Sequence, residues 1–421
     1  MTSSNKFHVF HQFQAVGHGT LFTGKLKDAV SNCRFTWIYD CGSSRPSRIK
    51  DYVNKVGPWC DGVIDLLVVS HFDNDHVNGL EQLIGSCRVG TLALPYIGFK
   101  DRLELVSSGN LSSDTAFFAL DPIGYLYASD ISSRVDSVLF VAGGGNDDEV
   151  SEQPIALPEP LGPNSPTLPD RRVGDPWENE QYPFFADDRF RALRVAVKVQ
   201  SHKSPVGFRK FPWEFVFFNT APDEKSKIKS GKTLQQIQDE VKSVLDKNKV
   251  MQKGVLPIAG WRMKLRQCYV DNFGDSAEDK NNLSLCVLAR PNQTVKSRKC
   301  TYFAPYEHQD VDVLALDFKR AHGIFLTGDI FLSPSKVKEI SIHYGTKRWS
   351  DVGVMQIPHH GSIHSWKLKT AAECHHDHSV FCVPNDSGSK PHPDVEIDLM
   401  GHGPVRANYN QSVTCAYHFD L

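Results

Sequence analysis

One buried strand and the polar turn after it constrain this chain more than any other feature. Residues 64–70, IDLLVVS, form a nearly continuous run of β-branched residues and leucine, which is typical of a strand covered on both faces. The strand ends at His71. A short amphipathic helix is then predicted from the i, i+3, i+4 spacing of Leu80, Leu83 and Ile84. This order predicts an α/β fold whose functional side chains collect at the carboxyl ends of strands.

Strands and helices continue to alternate along the rest of the chain. Apolar runs predict further strands at residues 34–41, 193–199, 213–218, 311–317, 324–327, 352–357, 379–383 and 413–419. Helical spacing predicts helices at 234–245 and 335–342. Between these elements, residues 144–188 are rich in proline and acidic residues, which indicates an extended surface loop.

The composition excludes two broad classes of protein. The 421 residues carry a formal net charge of −2, so the whole surface cannot attract nucleic acid as a histone-like binder does. A hydrophobic content of 40% excludes a chain that is disordered throughout. No apolar run reaches the roughly 18 to 20 residues of a membrane helix, and residues 1–24 lack an apolar signal core. We therefore expect no membrane partner. Because the ten cysteines form no C-x-x-C pair, we also expect reduced thiols, as in a cytoplasmic protein.

The turn at residues 71–76, HFDNDH, holds four side chains that can bind metal ions: His71, Asp73, Asp75 and His76. In such a turn, the side chains at 71, 73 and 75 can converge on one point, and the last histidine can enter from the next turn. Imidazole and carboxylate together suit zinc, manganese or iron(II). The alternative interpretation is a polar loop whose aspartates cap the following helix.

Two later strand ends carry residues of the same kind. One predicted strand is followed directly by Gly328 and Asp329, and another ends just before the pair His359 and His360. Considered alone, each could be an ordinary turn at the end of a strand. Three strand ends with ligand-type side chains together favour one shared metal site.

These motifs resemble those of the metallo-β-lactamase fold hydrolases. The sequence H-x-D-x-D-H at 71–76 is similar to the family's first motif, H-x-H-x-D-H, while Asp329 and the 359–360 histidine pair match its later ligands. The wider family has histidine at the position of Asp73. With aspartate there, the motif resembles that of the soluble hydrolase branch of the ComEC-type DNA-internalisation competence proteins. Shorter resemblances to that branch lie at residues 16–20 (VGHGT), 39–42 (YDCG), 281–285 (NNLSL) and 391–393 (PHP).

The resemblance covers residues 14–90 and 280–400, and it implies a fold and a domain organisation. The expected fold is the α/β class, as the αββα sandwich of the metallo-β-lactamase family, with a single domain over residues 1–421. Residues 98–270 match no motif of the family. We interpret them as a large insertion that decorates the active-site face and includes the 144–188 loop.

The resemblance also implies two divalent metal ions, manganese or zinc. The first would be held by His71, Asp73 and a bridging Asp329. The second would be held by Asp75, His76, Asp329 and one of His359 and His360. The additional carboxylate at 73 and the lack of a clear histidine for the family's third motif favour manganese over zinc.

The activity implied by the resemblance is metal-assisted hydrolysis of a phosphodiester, with DNA as the expected substrate. Asp75 is a candidate catalytic residue as well as a ligand. The leaving group could take its proton from His392, His364 or His18, although each of these could instead orient a neighbour or lie on the surface.

A basic stretch at residues 189–210 offers a second reason to expect DNA. It includes Arg191, Arg194 and Lys198, with phenylalanines interspersed, so it could contact phosphates and stack on bases. A solvated strand face is an equally good interpretation of the same residues.

Other functions stay open from the sequence. The enzyme could hydrolyse small phosphodiesters such as cyclic nucleotides, or esters, and the metal site could be structural in a non-catalytic binding subunit. The resemblance to standalone relatives suggests bacterial defence against phage, and a cytosolic nuclease would need a regulatory protein partner or signal. A second histidine-rich run, residues 374–378 (CHHDH), is interpreted as a solvated turn, with adventitious metal binding as the alternative.

Overall fold

The structure is a computed structural model of the chain. It describes residues 6–108, 111–144, 154–156, 195–208, 211–220, 228–250, 252–274, 284–293, 297–300, 312–316, 322–383 and 390–420. Nearly all of the proline-rich loop predicted at 144–188 lies outside the described residues, as do Arg191 and Arg194.

The strands among these residues are, in chain order, β1 (Lys6–Phe13), β2 (Phe22–Asp28), β3 (Arg34–Tyr39), β4 (Val63–Val68), β5 (Arg88–Pro95), β6 (Val135–Ala142), β7 (Ile155–Ala156), β8 (Ala196–Ser201), β9 (Val206–Phe208), β10 (Phe211–Phe218), β11 (Cys286–Pro291), β12 (Ser297–Cys300), β13 (Asp312–Ala315), β14 (Gly323–Leu326), β15 (Val352–Gln356), β16 (His378–Cys382), β17 (Val405–Ala407) and β18 (Gln411–Asp420).

The α-helices are α1 (Pro46–Trp59), α2 (Asn74–Val77), α3 (Leu80–Ser86), α4 (Phe99–Ser108), α5 (Ser113–Leu120), α6 (Pro122–Ala128), α7 (Leu234–Lys247), α8 (Trp261–Phe273), α9 (Pro334–Tyr344), α10 (Thr346–Trp349) and α11 (Pro393–Asp398). Short 3₁₀ turns lie at Ser132–Arg134, Pro358–Gly361, Ile363–Ser365, Thr370–Glu373 and Met400–His402.

The strands form two mixed sheets. The first has the order β12-β18-β1-β2-β3-β4-β5-β6-β8, with β13 beside β18. Its strands are parallel from β3 to β8 and antiparallel from β18 to β3. The second has the order β17-β16-β15-β14-β11-β10-β9-β7, parallel from β14 to β17 and antiparallel from β9 to β14.

Three buried apolar clusters show how the layers are stacked. One lies between the first sheet and helices α1 and α3–α8, the second lies between the two sheets, and the third lies between the second sheet and α9–α11. Each sheet is therefore covered on both faces. This arrangement is an α/β sandwich with layers in the order α, β, β, α, and it confirms the predicted fold class.

The alternation of side chains along β3 illustrates why the sheets pack in this way. Trp37 points towards the second sheet, where its ring lies 5.0 Å from that of Phe215 in β10, while its neighbour Ile38 packs against the helices. Successive side chains of a strand point to opposite faces, so a strand with apolar residues on both faces is buried between layers.

Residues 98–270, which the sequence analysis interpreted as a decorating insertion, supply elements to every layer but the last helical one. Strands β6 and β8 extend the first sheet, β9 and β10 belong to the second, and α4–α8 cover the first sheet. The domain boundaries themselves stay predictions. Among the described residues, no helix is both long enough and apolar enough to span a bilayer.

Candidate metal centre

The centre is built by the turns that follow β4, β14 and β15. The residues after β4 carry His71 to His76, Asp329 follows β14, and the 3₁₀ turn Pro358–Gly361 follows β15. In parallel sheets the carboxyl ends of the strands are the usual place for a ligand site. The three polar strand ends of the sequence therefore do meet at one place in the fold.

Two glycines allow these turns to touch. Gly328 has a φ of +57°, and a Cβ there would lie 2.8 Å from the Cβ of Ser70. A Cβ on Gly42 would lie 2.3 Å from the carbonyl carbon of Asp75. Only a residue without a side chain permits such close approaches, so larger residues here would push the ligand turns apart.

Two imidazoles and one carboxylate form a first group of ligand atoms: His71, His76 and Asp329. Nε2 of His71 lies 3.5 Å from Oδ2 of Asp329, and Nε2 of His76 lies 3.5 Å from Oδ1 of the same carboxylate. All three side chains are buried. We call these residues the inner group.

A second group with the same composition adjoins the first: His18, Asp75 and His360. The Oδ2 atom of Asp75 lies 3.2 Å from Nε2 of His360 and 3.6 Å from Nε2 of His18. The rings of His76 and His360 have their centroids 5.7 Å apart, so the two groups are neighbours. We call these residues the outer group.

Hydrogen bonds behind the inner group fix the orientation of its rings. Asp40, which is fully buried, accepts hydrogen bonds from Nδ1 of His76 at 2.8 Å and from the Ser70 hydroxyl at 2.6 Å. Because that hydroxyl donates to Asp40, it must accept from Nδ1 of His71, which lies 2.8 Å away. Both rings therefore carry a proton on Nδ1 and turn Nε2 towards Asp329, where a deprotonated Nε2 can bind a cation.

The outer group is oriented in the same way. Nδ1 of His360 donates to the carbonyl oxygen of Cys382 at 2.6 Å, which leaves its Nε2 lone pair facing Asp75. Histidines that bind metals usually donate their other ring nitrogen to a carboxylate or a backbone carbonyl in this manner. His76 and His360 follow that rule directly, whereas His71 reaches the carboxylate of Asp40 through the Ser70 hydroxyl.

Unpartnered atoms show that the inner group fits a cation. Among the described residues, Nε2 of His71, Nε2 of His76 and Oδ1 of Asp329 are buried without a hydrogen-bond partner. An orphaned buried polar atom costs about 1–3 kcal/mol, and three that converge on one point are explained if an ion occupies it. Two imidazoles and one carboxylate are a donor set that zinc, manganese and iron(II) accept.

The pKa shifts agree with a site that attracts positive charge. Burial lowers the pKa of His76, but Asp329 and Asp40 outweigh it and raise that pKa to about 10. Burial likewise raises the pKa of Asp329, yet His71 and His76 hold it well below its usual range. A carboxylate that stays ionised while buried against imidazoles provides the negative charge that a metal ion needs.

The grouping of ligands differs from the one that the resemblance implied. His76 lies with His71 in the inner group rather than with Asp75, and the outer group is completed by His18, which the sequence analysis had proposed as a proton donor. Asp73 is 46% exposed in its side chain and lies 3.8 Å from Nε2 of His71, outside both groups.

The structure separates the two histidines of the 359–360 pair. His360 belongs to the outer group, whereas Nε2 of His359 lies 3.9 Å from Asp329 and its Nδ1 lies 2.9 Å from the Ser365 hydroxyl. Both residues have a positive φ, 47° and 59°, which turns the two side chains in different directions. His359 therefore lies at the margin of the inner group.

The other two proton-donor candidates belong to neither group of ligand atoms. His364 is exposed in the 3₁₀ turn Ile363–Ser365. His392 is the N-cap of helix α11, and its Nδ1 accepts a hydrogen bond from the Asp394 N–H at 3.2 Å. In the neutral ring of His392 the proton is consequently on Nε2. Their roles in proton transfer stay predictions.

Of the three residues Arg191, Arg194 and Lys198 that were predicted to bind DNA, the structure describes Lys198. It is exposed on β8, the last strand of the first sheet. Lys198 therefore lies at the edge of the first sheet as described, and the role of the stretch in binding stays a prediction. By contrast, the 374–378 run is not the solvated turn that the sequence analysis expected, because Cys374 and His376 are buried.

The sequence analysis missed the part that two further residues play in supporting the centre. Asp40 was noted as the acidic end of a predicted strand and within a resemblance, but not as a support of the centre, although it holds both Ser70 and His76. Ser284 was noted in the same way, and its hydroxyl accepts from the Asp329 N–H at 3.0 Å. An acidic residue at the end of a buried strand was the available signal for Asp40, since β3 runs parallel to β4.

Comparison with known proteins adds little to this description. Neither a protein-family model nor a curated protein matches the sequence of the chain. The crystal structure of unliganded yeast PDE1 aligns with 98% of this chain and 99% of its own, at 9% sequence identity and a TM-score of 0.34. Similarity this low carries no functional argument, so function must be argued from the metal centre itself.

Proposed function

We propose that this protein is a metal-dependent hydrolase that cleaves phosphodiesters. The observation that carries the proposal is the pair of adjoining His₂Asp groups, with imidazole Nε2 atoms and carboxylate oxygens that face one another. Divalent ions in such groups supply an activated water at neutral pH and neutralise charge on phosphoryl oxygens.

The residues of the chain would hold these ions and keep the site rigid. His71, His76 and Asp329 would bind one ion, and His18, Asp75 and His360 would bind the other. Asp40 keeps the proton of His76 on Nδ1, and Cys382 does the same for His360 through its carbonyl oxygen. Proton donation to the leaving group is assigned to His392, whose Nε2 carries the proton in the neutral ring.

The donor sets bear on the identity of the metal. With Asp73 outside both groups, each group offers two imidazoles to one carboxylate rather than a carboxylate-rich set. Imidazole suits zinc, whereas carboxylate suits manganese. We therefore propose that zinc supports activity at least as well as manganese.

DNA is the proposed substrate, on the strength of the resemblance to the ComEC-type branch and of the basic stretch that includes Lys198. Defence against phage, with a regulatory partner that restrains the nuclease, is the biological role that this resemblance suggests. The alternative within the same chemistry is a small phosphodiester such as a cyclic nucleotide.

A chelation experiment tests the hydrolase itself. Protein stripped by a chelator should not cleave bis(p-nitrophenyl) phosphate, and zinc or manganese should restore cleavage. Failure of every divalent metal to restore it would contradict the proposal. The same preparations, assayed on single-stranded and double-stranded DNA, separate a nuclease from an enzyme of small phosphodiesters.

The polymer substrate has its own test. Changing Arg191, Arg194 and Lys198 to glutamate should raise KM for DNA. It should also make the affinity for DNA less dependent on salt: the slope of log affinity against log salt concentration should become shallower by about 0.7–0.9 for each phosphate contact that the variant loses. Cleavage of bis(p-nitrophenyl) phosphate should not change. An equal fall in rate on both substrates would show that the stretch supports the fold or the chemistry instead of DNA binding.

A further inference from the structure

A lysine that the sequence analysis did not single out lies beside the metal centre. Lys390 begins the described segment 390–420, and this segment folds back onto the turn that carries His360. The N–H of His392 donates to the carbonyl oxygen of Gly361 at 2.9 Å. A Cβ on Gly361 would lie 2.7 Å from the Cβ of Pro391. These contacts fix the backbone next to Lys390 against the ligand turn.

Lys390 interacts electrostatically with one carboxylate of each ligand group, Asp329 and Asp75. Its side chain is half-buried. Burial lowers the pKa of Lys390, and the negative charges of Asp329 and Asp75 offset part of that effect. Lys390 in turn adds to the larger effect of burial in lowering the pKa of His18. A cation that is partly removed from water and placed beside a metal centre needs a reason, because its desolvation is unfavourable.

The two carboxylates do not supply that reason once the centre is loaded. The interactions of Lys390 with Asp329 and Asp75 are Coulombic, without a hydrogen bond to either. Divalent ions are the largest local charges in such a site, and they would take up the negative charge of both carboxylates. The ammonium would then face cations, and an anionic group is the partner that makes its position favourable.

We propose that Lys390 binds an anionic oxygen of the substrate at the metal centre and thereby selects phosphodiesters over neutral esters. The inference rests on the proposed hydrolase function and names the substrate class of that site. An ammonium offers three donors to a phosphate oxygen, and hydrogen bonds between charged groups are the stronger kind. A neutral ester has no oxygen of that charge for Lys390 to bind.

Charge removal and charge retention at one position test the proposal. The zinc-loaded variants Lys390→Gln and Lys390→Arg are compared with wild type, and Lys367→Gln, which changes an exposed lysine, is the matched control. Calorimetry with inorganic phosphate measures anion binding without turnover. Lys390→Gln should weaken phosphate binding by roughly ten- to a hundredfold, whereas Lys390→Arg and the control should stay close to wild type.

Turnover of two substrates provides the second measurement. The kcat/KM of Lys390→Gln should fall for bis(p-nitrophenyl) phosphate by a similar factor, and it should be unchanged for the neutral ester p-nitrophenyl acetate. Equal losses on both substrates would show a structural role and overturn the proposal.

The two measurements also distinguish this inference from the proposed function. If wild type cleaves neither substrate but Lys390→Gln binds phosphate much more weakly than wild type, the hydrolase proposal fails and the anion site stands. If wild type cleaves the phosphodiester and Lys390→Gln binds phosphate equally well, the hydrolase stands and the role of Lys390 is refuted.

Discussion

Two histidine-rich regions of this molecule have similar sequences and different structures. The metal centre takes His71 and His76 from one short turn, and the C-terminal histidine turn, residues 374–378, packs four ligand-type residues plus a cysteine into five positions. In the metal centre, Nδ1 of each histidine is held by an oxygen behind it and Nε2 faces Asp329. The two Nε2 atoms therefore converge.

In the C-terminal histidine turn, local contacts engage the ring of His376. Its Nε2 lies 2.7 Å from the Ser379 hydroxyl, and its ring stacks on that of His402 with centroids 4.5 Å apart. His402 in turn donates Nδ1 to the carbonyl oxygen of His376 at 3.0 Å. In the part of the chain that the structure describes, no converging set of ligand atoms includes these two histidines.

The difference between the two regions shows that the density of ligand-type residues is a poor guide to a metal site. What distinguishes the metal centre is a second layer of fixed acceptors, Asp40 and Ser70, together with a carboxylate brought from a distant strand. Those features orient lone pairs towards one point. The C-terminal histidine turn instead uses its rings for packing, so we assign it to stability.

Removing one ligand from each group should have the largest effect. Asp75→Ala combined with His76→Ala should reduce phosphodiester hydrolysis to background, because activation of water depends on bound metal. Circular dichroism of the same sample checks that the double variant is folded. A folded double variant with normal turnover would contradict the assignment of both groups.

His376→Ala is the matched control from the C-terminal histidine turn. It should leave kcat/KM per folded molecule within about twofold of wild type, while it lowers the free energy of unfolding by about 1–3 kcal/mol because packing and a hydrogen bond are removed. Loss of activity without loss of stability would mean that the two regions have been assigned the wrong way round.

Metal binding should stabilise the fold through the first of the two regions alone. Zinc at a hundred times its Kd should add about 2.7 kcal/mol to the free energy of unfolding of chelator-treated protein. His376→Ala should gain as much as wild type, and Asp329→Ala should gain far less. Thermal melting with and without zinc measures the difference, and an equal gain in all three proteins would count against the assignment.

Asp40→Asn should weaken the centre without removing a ligand. The change leaves the size of the side chain intact but removes the carboxylate that accepts from His76 and Ser70. Loss of such a partner typically costs ten- to a hundredfold in metal affinity. Competition with a chromophoric chelator measures the zinc Kd, and an unchanged Kd would show that Asp40 has no part in orienting the ring.

The smallest effect concerns pH and the C-terminal histidine turn. Burial, assisted by His402, holds the pKa of His376 well below 6.5. In the unfolded chain His376 binds a proton near pH 6.5, whereas in the folded chain it does not. The free energy of unfolding therefore falls as the pH drops below 6.5, by up to about 1.4 kcal/mol per pH unit. His376→Gln should therefore flatten the decline between pH 6.5 and 5 by one proton. Urea unfolding at several pH values measures how steeply the free energy of unfolding depends on pH in wild type and in His376→Gln. Equal slopes for the two proteins would contradict this prediction.

Sequence alone predicted the strands that build the centre. The runs at 64–70, 324–327 and 352–357 correspond to β4, β14 and β15, each within two residues at either end. They were predictable because strands buried on both faces must be apolar throughout and because the polar residues after them mark where they end. The layer order followed from the resemblance and is confirmed by the three buried clusters.

The composition of the two ligand groups was not predictable in the same way. Spacing placed Asp73 with His71, but Asp73 belongs to neither group although its Oδ2 lies 3.8 Å from Nε2 of His71. The outer group instead includes His18, from the loop between β1 and β2. Contacts of that kind depend on which loops meet across two sheets and on single backbone angles, such as the positive φ of His360. Periodicity carries no information about either.

The central claim is that divalent ions occupy the inner group and the outer group rather than the C-terminal histidine turn. A crystal of the zinc-loaded protein, measured at the zinc absorption edge, tests it directly. The account predicts anomalous peaks about 2.0–2.2 Å from the Nε2 atoms of His71, His76 and His360, and none beside His376. Peaks at His376 or His402, or no peak near Asp329, would contradict it.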